Sequence, residues 1–299
     1  MPSTGSNMRV LSRASFPEEL REIPQPPKHL WVRGSLPPAQ HRVLSVVGSR
    51  ALTTYGHDTI NLLVSGLTGL PLSIVSGLAL GADAAAHRAA LAAGLHTVAV
   101  PGSGLDESVL YPRTNRGLAR DIIAAGGGLV SEHEPLHQAR PQDFPARNRL
   151  MVGLSHAVLV IEAGEESGTL ISARLAAEYN RELLCVPHRI GDPHAAASRI
   201  FLRLGATPIY EPVHLLEALG IPAVLGVTGT TLPNLSELEA HVYALLETPQ
   251  KLTDLLQAMP LQTHELLAIL AALELKGLVC ERFGAWRRVC NEQAPDLTI

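Results

Sequence analysis

From residue 41 to about residue 212, apolar runs of strand length end on glycine turns and give way to helical patterns. "RVLSVVGSR" reads as a strand entering a glycine turn. "LSIVSGLALGADAAAHRAALAAG" reads as strand, turn and helix, closed by Gly94 at a C′ position. "HTVAVPGSG" is a strand into another glycine loop, "TNRGLARDIIAAGGG" a helix and "LVSEH" a short strand. "RNRLMVGLS" reads as helix, "HAVLVIEAG" as strand, "SGTLISARLAAEYN" as helix, and "ELLCVPH" and "ATPIY" as the last strands. Continuously apolar strands separated by helices predict a parallel sheet covered on both faces. In such sheets ligands bind beyond the carboxyl ends of the strands. The glycine loops after Val47, Val75, Val100 and Ile161 all fall on that edge.

One of these units, "IVSGLALGADAAAHRAALAAG", looks like a phosphate-binding strand–loop–helix. Its spacing is wrong for a dinucleotide fingerprint, because three residues separate Gly77 from Gly81. Gly77 and Gly81 are expected to shape one wall of a groove at the strand edge, with Ser76 at its lip. Asp83 and His87 stand four apart on one helical face, the arrangement of an acid–base pair. The favoured reading is structural: Asp83 complements a helix N-terminus and His87 hydrogen-bonds to it.

The flanks differ. Residues 1–40, including "FPEELREIPQPPKHLWVRGSL", are proline-rich and read as an N-terminal arm with little core of its own. Residues 41–212 form the main domain, 213–232 a linker around "GIPAVLGVTGTTLPN", and 233–299 a second domain. In the last, "SELEAHVYALLE" has Ser236 as N-cap and Glu239 at the capping-box position. Two more helical stretches, "KLTDLLQAM" and "QTHELLAILAALELKG", precede two short strands around Gly284 in "LVCERFGAWRRV". This order predicts a small winged-helix domain.

Bulk properties narrow the function. Net charge is −4, so any nucleic-acid binding has to come from a local basic patch. The cysteines, Cys185, Cys280 and Cys290, form no C-x-x-C pair, so neither a disulfide framework nor a metal site is expected. The start of the chain lacks an apolar signal core, and no run approaches the about 18 apolar residues of a membrane span. A cytoplasmic protein without a membrane span is expected.

Several dispersed stretches together resemble one family. They are "VVGSRALTTYG", "VSGLALGADAAAH", "VAVPGSGLDESVLYPRTNRGLA", "SEHEPLHQARPQDFPARNRLMVGLS" and "IEAGEESGTLISARLAAEYNRELLCVPH". In this order they resemble the DNA-processing protein A (DprA/Smf) family, over roughly residues 16–290. "FPARNR" with "GSGLD…YP…N" is the specific combination. The resemblance implies a Rossmann-like domain that binds single-stranded DNA and forms a homodimer. It implies a mediator that protects incoming strands in natural transformation and loads the RecA recombinase, with no catalysis and no cofactor.

Gly48, Ser49 and Arg50 follow the first strand of the main domain. Their backbone N–H groups suit a phosphate, and Arg50 can add a bidentate contact. Phe144 can stack a base while Arg147, Asn148 and Arg149 line the pocket, and Arg140 adds charge upstream. One of those arginines can instead brace the loop through a buried salt bridge. Ser167, Gly168 and Thr169 open a helix whose N-terminus accepts a phosphate. Gly102 and Ser103 belong to a third glycine loop on the same edge. Three features depart from the family pattern: Glu166, preceded by Glu165, stands where a basic residue is usual, Ala197 and Arg199 stand where a glycine and an asparagine are common, and "VPH" at 186–188 replaces a usual proline–glycine.

Two alternatives stay open. One is a phosphoribohydrolase of the LOG type, whose catalytic glutamate position holds Ser172 here. The other is a nucleotide-binding sensor that regulates transcription through the winged helix, whose recognition helix carries only Lys276 as a fixed cation.

Overall fold

A computed structural model describes residues 8–164, 168–222, 235–246, 248, 250–259, 261–276, 278–282 and 285–288. The chain divides into two compact units, Met1–Val224 and Leu225–Ile299. In chain order the first unit comprises β1 (Met8–Ser12), α1 (Glu18–Glu22), β2 (His29–Gly34), β3 (Arg42–Val47), α2 (Thr54–Ser65), β4 (Leu72–Ser76), α3 (Ala82–Ala92) and β5 (His96–Ala99). It continues with α4 (Arg116–Ala124), β6 (Gly128–Ser131), α5 (Asp143–Gly153), β7 (Ala157–Val160), α6 (Thr169–Glu178), β8 (Glu182–Cys185), α7 (Ala196–Arg203), β9 (Thr207–Pro208) and α8 (Pro212–Ala218).

The strands form one sheet in the order β1-β2-β6-β5-β4-β3-β7-β8-β9. From β6 to β9 all neighbours are parallel. The chain winds outward from β3 through β4, β5 and β6. It then crosses to the other side of β3 and continues through β7, β8 and β9. The loops after β3 and β7 therefore diverge, and a crevice opens between them at the carboxyl edge.

The central strands feed two cores because successive side chains point to opposite faces. Val43, Val47, Val75, Val158 and Val160 pack with Leu150, Met151 and Ala173 of α5 and α6. Leu44, Val46, Ile74, Leu159 and Ile161 pack on the other face with Ile60, Leu63, Ala82 and Ala86 of α2 and α3. This is a Rossmann-like sheet with helices on both faces.

Two boundaries differ from the sequence expectation. The N-terminal segment is part of the sheet and not an arm. β2 pairs antiparallel with β6, with Trp31 opposite Ser131 and Gly34 opposite Gly128. Phe16, Leu20, Leu30 and Val32 are buried in the first core, so this segment folds by burying apolar side chains that its prolines obscure. Likewise the stretch expected to begin a linker at 213 forms α8, whose Leu215 and Leu216 are buried in the second core. Residues 223–234 lie outside the described residues.

The second unit contains α9 (Glu237–Leu245), α10 (Leu252–Ala258), α11 (Thr263–Leu275), β10 (Val279–Arg282) and β11 (Ala285–Arg288). The last two pair antiparallel. Ser236 and Glu239 make the capping box their spacing indicates. Val242, Leu255, Leu266, Leu270, Leu273 and Trp286 form a separate core. Among the described residues no helix is long and apolar enough to cross a membrane.

Candidate functional site

The crevice after β3 and β7 holds a groove of about 820 Å³. Gly48, Ser49 and Arg50 line one side, Gly168 and Thr169 another, and Phe144, Arg147 and Asn148 of α5 a third. Eight residues singled out in the sequence thus meet at one place.

The turn after β3 is built onto the start of α3. A Cβ at Gly81, whose φ is +71°, would stand 2.2 Å from the Ser49 carbonyl oxygen. The Ala82 N–H donates to that oxygen at 3.0 Å. Gly81 is therefore a close-approach glycine that seats the turn, not a phosphate contact of its own. Ser76 is not at the lip: it is fully buried and donates to the Val46 carbonyl at 2.7 Å.

At the mouth, the Arg50 guanidinium carbon sits 5.3 Å from the centre of the Phe144 ring. Arg50 is exposed, and Phe144 is half-buried. Tyr111, exposed and given no site role in the sequence, packs against the same ring at 5.7 Å and 53°. Beneath the ring lies Gly102, where a Cβ would come within 2.8 Å of Phe144 Cδ1. Gly102 supports the aromatic without reaching the groove. Ser103, in the same loop, is fully buried and donates to the Gly104 carbonyl at 2.9 Å, so its hydroxyl is not offered to a ligand. The loop closes over these residues because Gly104 N donates to His137 O and Asp106 N to Pro135 O.

Below the mouth, Arg147 is 5% exposed. Its Nη1 donates to the Val100 carbonyl at 2.7 Å and lies 3.9 Å from Asp83 Oδ2. The guanidinium fills the space a side chain at Gly77 would need: a Cβ there would be 1.4 Å from Nη1. Burial lowers the Arg147 pKa, and the Asp83 charge opposes that. Burial raises the Asp83 pKa, opposed by Arg147 and by backbone N–H groups. Arg147 is thus the arginine that braces the site, not one that reaches outward.

The acid–base reading of Asp83 and His87 does not survive this geometry. Asp83 Oδ2 accepts from Ala79 N at 3.2 Å. His87 is fully buried, with Nδ1 2.8 Å from the Thr97 hydroxyl. Burial above all pushes its pKa down to about 3. The hydrogen bond expected between the two is replaced by one to β5.

Arg149 also turns away from the groove. It pairs with Glu132 and donates to the Gln25 carbonyl, tying α5 to the segment after α1. Arg140 is exposed outside the groove, its N–H donating to Asp143 Oδ2. Asn148 Nδ2 points across the groove to the Gly168 carbonyl at 3.5 Å. Ser172 lines the groove where a phosphoribohydrolase would carry a carboxylate. Ser167, Glu165 and Glu166 lie outside the described residues.

An open doubly wound sheet with a cation and an aromatic side chain at its switch-point crevice is a Rossmann-like binding domain. Solved structures agree with that class. The structure of DNA processing protein A from Streptococcus pneumoniae superposes with a TM-score of 0.66 at 34% identity, covering 71% of this chain and 74% of that one. DNA processing protein A from Helicobacter pylori, whose structure concerns its single-stranded DNA binding mode, superposes at 0.63 and 28% identity, covering 72% and 96%. In sequence, Protein Smf of Escherichia coli is 38% identical over 68% of this chain and 54% of its own length. DNA processing protein DprA of Bacillus subtilis is 35% identical over 72% of each. This chain thus spans about half of the first relative's length. The family model of DNA recombination-mediator protein A matches residues 7–220, and the chain belongs to that family. The family is one of recombination mediators.

Proposed function

We propose that the groove binds single-stranded DNA and that the chain acts as a mediator that delivers such strands to a RecA-type recombinase. The observation that carries this reading is Arg50 over the Phe144 ring at the mouth of the switch-point groove. An aromatic face stacks any base, and an adjacent cation holds the backbone. The first turn of α6, at Gly168 and Thr169, faces the same groove and offers a phosphate the positive end of a helix. The relative from Helicobacter pylori, described by its single-stranded DNA binding, supports the choice of ligand.

The C-terminal unit, three helices and a hairpin, is proposed as a winged helix with a protein-contact role. Lys276, at the C-cap of α11, is paired with Glu239 at 2.6 Å and is not free for a phosphate. The homodimer belongs to the same proposal, with exposed Ile200 on α7 and Leu204 just after it as apolar surface for it.

The test is a salt-titrated binding comparison of oligo-dT with a duplex of equal length. Single strands are expected to bind more tightly, with affinity falling steeply as salt rises. Equal affinity for both forms at low salt would sink the proposal.

A further inference from the structure

The loop from β6 into α5, "SEHEPLHQARPQD", brings three side chains to one point. The rings of His133 and His137 stack, with centroids 4.1 Å apart and planes 14° from parallel. His137 Nε2 is 2.8 Å from Asp143 Oδ2, and His133 Nε2 is 4.0 Å from Asp143 Oδ1. One donor atom from each residue lies within 4.8 Å of the other two. We propose that His133, His137 and Asp143 form a binding site for a divalent transition-metal ion, zinc foremost, with the fourth position left to water.

The distances fit such an ion. Zinc–nitrogen and zinc–oxygen bonds of about 2.0–2.2 Å in a tetrahedron place neighbouring donors about 3.4 Å apart. The three donor atoms lie within 4.8 Å of one another before any ion is bound, and rotation of the side chains closes them to that spacing.

The chemistry fits as well. Two imidazoles and one carboxylate are a donor set suited to zinc, not to calcium or magnesium. His133 Nε2 is shielded from solvent and has no hydrogen-bond partner, so a ligand there satisfies an orphaned buried atom. The Arg140 N–H holds Asp143 Oδ2 at 2.8 Å, which orients the carboxylate and leaves Oδ1 for the ion. On binding, the Nε2 proton of His137 is exchanged through solvent to Nδ1, and its hydrogen bond to Asp143 is replaced by the metal bond. The side chains of His133 and His137 are 23% and 24% exposed, which gives the ion a way in. Asp143 opens α5 directly before Phe144, so the ion would pin the loop to the helix that carries the groove's aromatic.

The test uses the full chain, stripped with EDTA and titrated with cobalt(II). We expect the visible bands of four-coordinate cobalt to saturate at a single equivalent and to be displaced by zinc. His133→Asn and His137→Asn should each abolish the bands and weaken zinc binding at least about tenfold. Zinc should raise the Tm of the wild type and leave that of each variant unchanged. Circular dichroism of the metal-free variants checks their folding. Where a histidine variant does not fold, Asp143→Asn, which keeps an acceptor for Arg140 N–H, gives the same readout. A wild type that shows no stoichiometric cobalt bands, or bands that persist in these variants, overturns the site.

Discussion

Arg147 and Arg50 border the same groove and do opposite work. Arg147 lies beneath it, 5% exposed, with Nη1 fixed by the Val100 carbonyl and seated against Gly77. Arg50 stands at the mouth, exposed, with its guanidinium over Phe144. A guanidinium cannot be deprotonated in practice, so a buried one has to be held by neighbours that compensate its lost hydration. An exposed one is free to exchange water for a phosphate. The floor of the groove therefore stabilises the fold, while the rim is left to the proposed binding. Residue type alone does not separate these roles; depth beneath the sheet edge does.

Breaking the floor should have the largest effect. Arg147→Met leaves Asp83 buried beside no cation and is expected to cost about 3 kcal/mol of stability. Gly77→Ala places a methyl on the guanidinium and should cost a comparable amount. Because both changes remove the same arrangement, the double variant should be less destabilised than the sum of the two. Urea unfolding of the four proteins measures this. Additive losses, or a loss under about 0.5 kcal/mol for Arg147→Met, would show that the floor does not hold the fold together.

Much of this was legible in the sequence. The apolar runs ending in glycine turns placed the sheet and its binding edge, because a doubly covered parallel strand leaves a continuous signature. "FPARNR" and "GSR" marked the groove through the family resemblance; their residues alone, an aromatic beside cations and a glycine turn before an arginine, fit a structural role as well. What stayed hidden depended on partners distant in sequence. Arg147 turns inward because Gly77, on another strand's loop, leaves room for it. His87 bonds to Thr97, and not to Asp83 one turn away, because β5 runs beside α3. Ser103 is covered by a loop some 30 residues further on, through Gly104 and His137. Strand β2 pairs with β6, about 100 residues later, and "HLWVRG" gives no local sign of that partner. Helix α2 was obscured too: "TYGHDTINLLVS" opens with polar residues and a glycine, and its fold comes from burying Ile60, Leu63 and Val64.

An intermediate effect separates floor from rim by pH. His87 is held neutral by burial, with a folded pKa of about 3. Its unfolded value is about 6.5, so the unfolded chain takes up a proton there as pH falls and the folded chain does not. The stability this histidine contributes is complete above pH 6.5 and is lost progressively between about 6.5 and 3. The single group should make the fold about 2 kcal/mol less stable at pH 5 than at pH 7. His87→Gln should remove that part of the pH dependence, whatever its effect on stability at pH 7. Parallel stability-against-pH curves for wild type and variant would show that His87 is not held neutral.

The smallest effect on the fold, and the sharpest contrast with the floor, comes from the rim. Phe144→Ala removes the surface on which a base stacks and should cost about 1–2 kcal/mol of oligo-dT binding, roughly tenfold or somewhat more. Arg50→Ala should cost about 1 kcal/mol and reduce the salt slope by about 0.7, the share of one phosphate contact on a single strand. Phe144→Ala leaves that slope unchanged, because a ring releases no counterion. Arg50 is exposed and Phe144 half-buried, so Arg50→Ala in particular should alter stability by no more than about 0.5 kcal/mol. Binding isotherms across a salt series, beside urea curves of the same proteins, make the comparison. If Arg50→Ala destabilises the fold as Arg147→Met does, or leaves the salt slope intact, the division between a supporting floor and a binding rim fails. The two arginines would then share one structural role, and the phosphate contact would have to come from the first turn of α6.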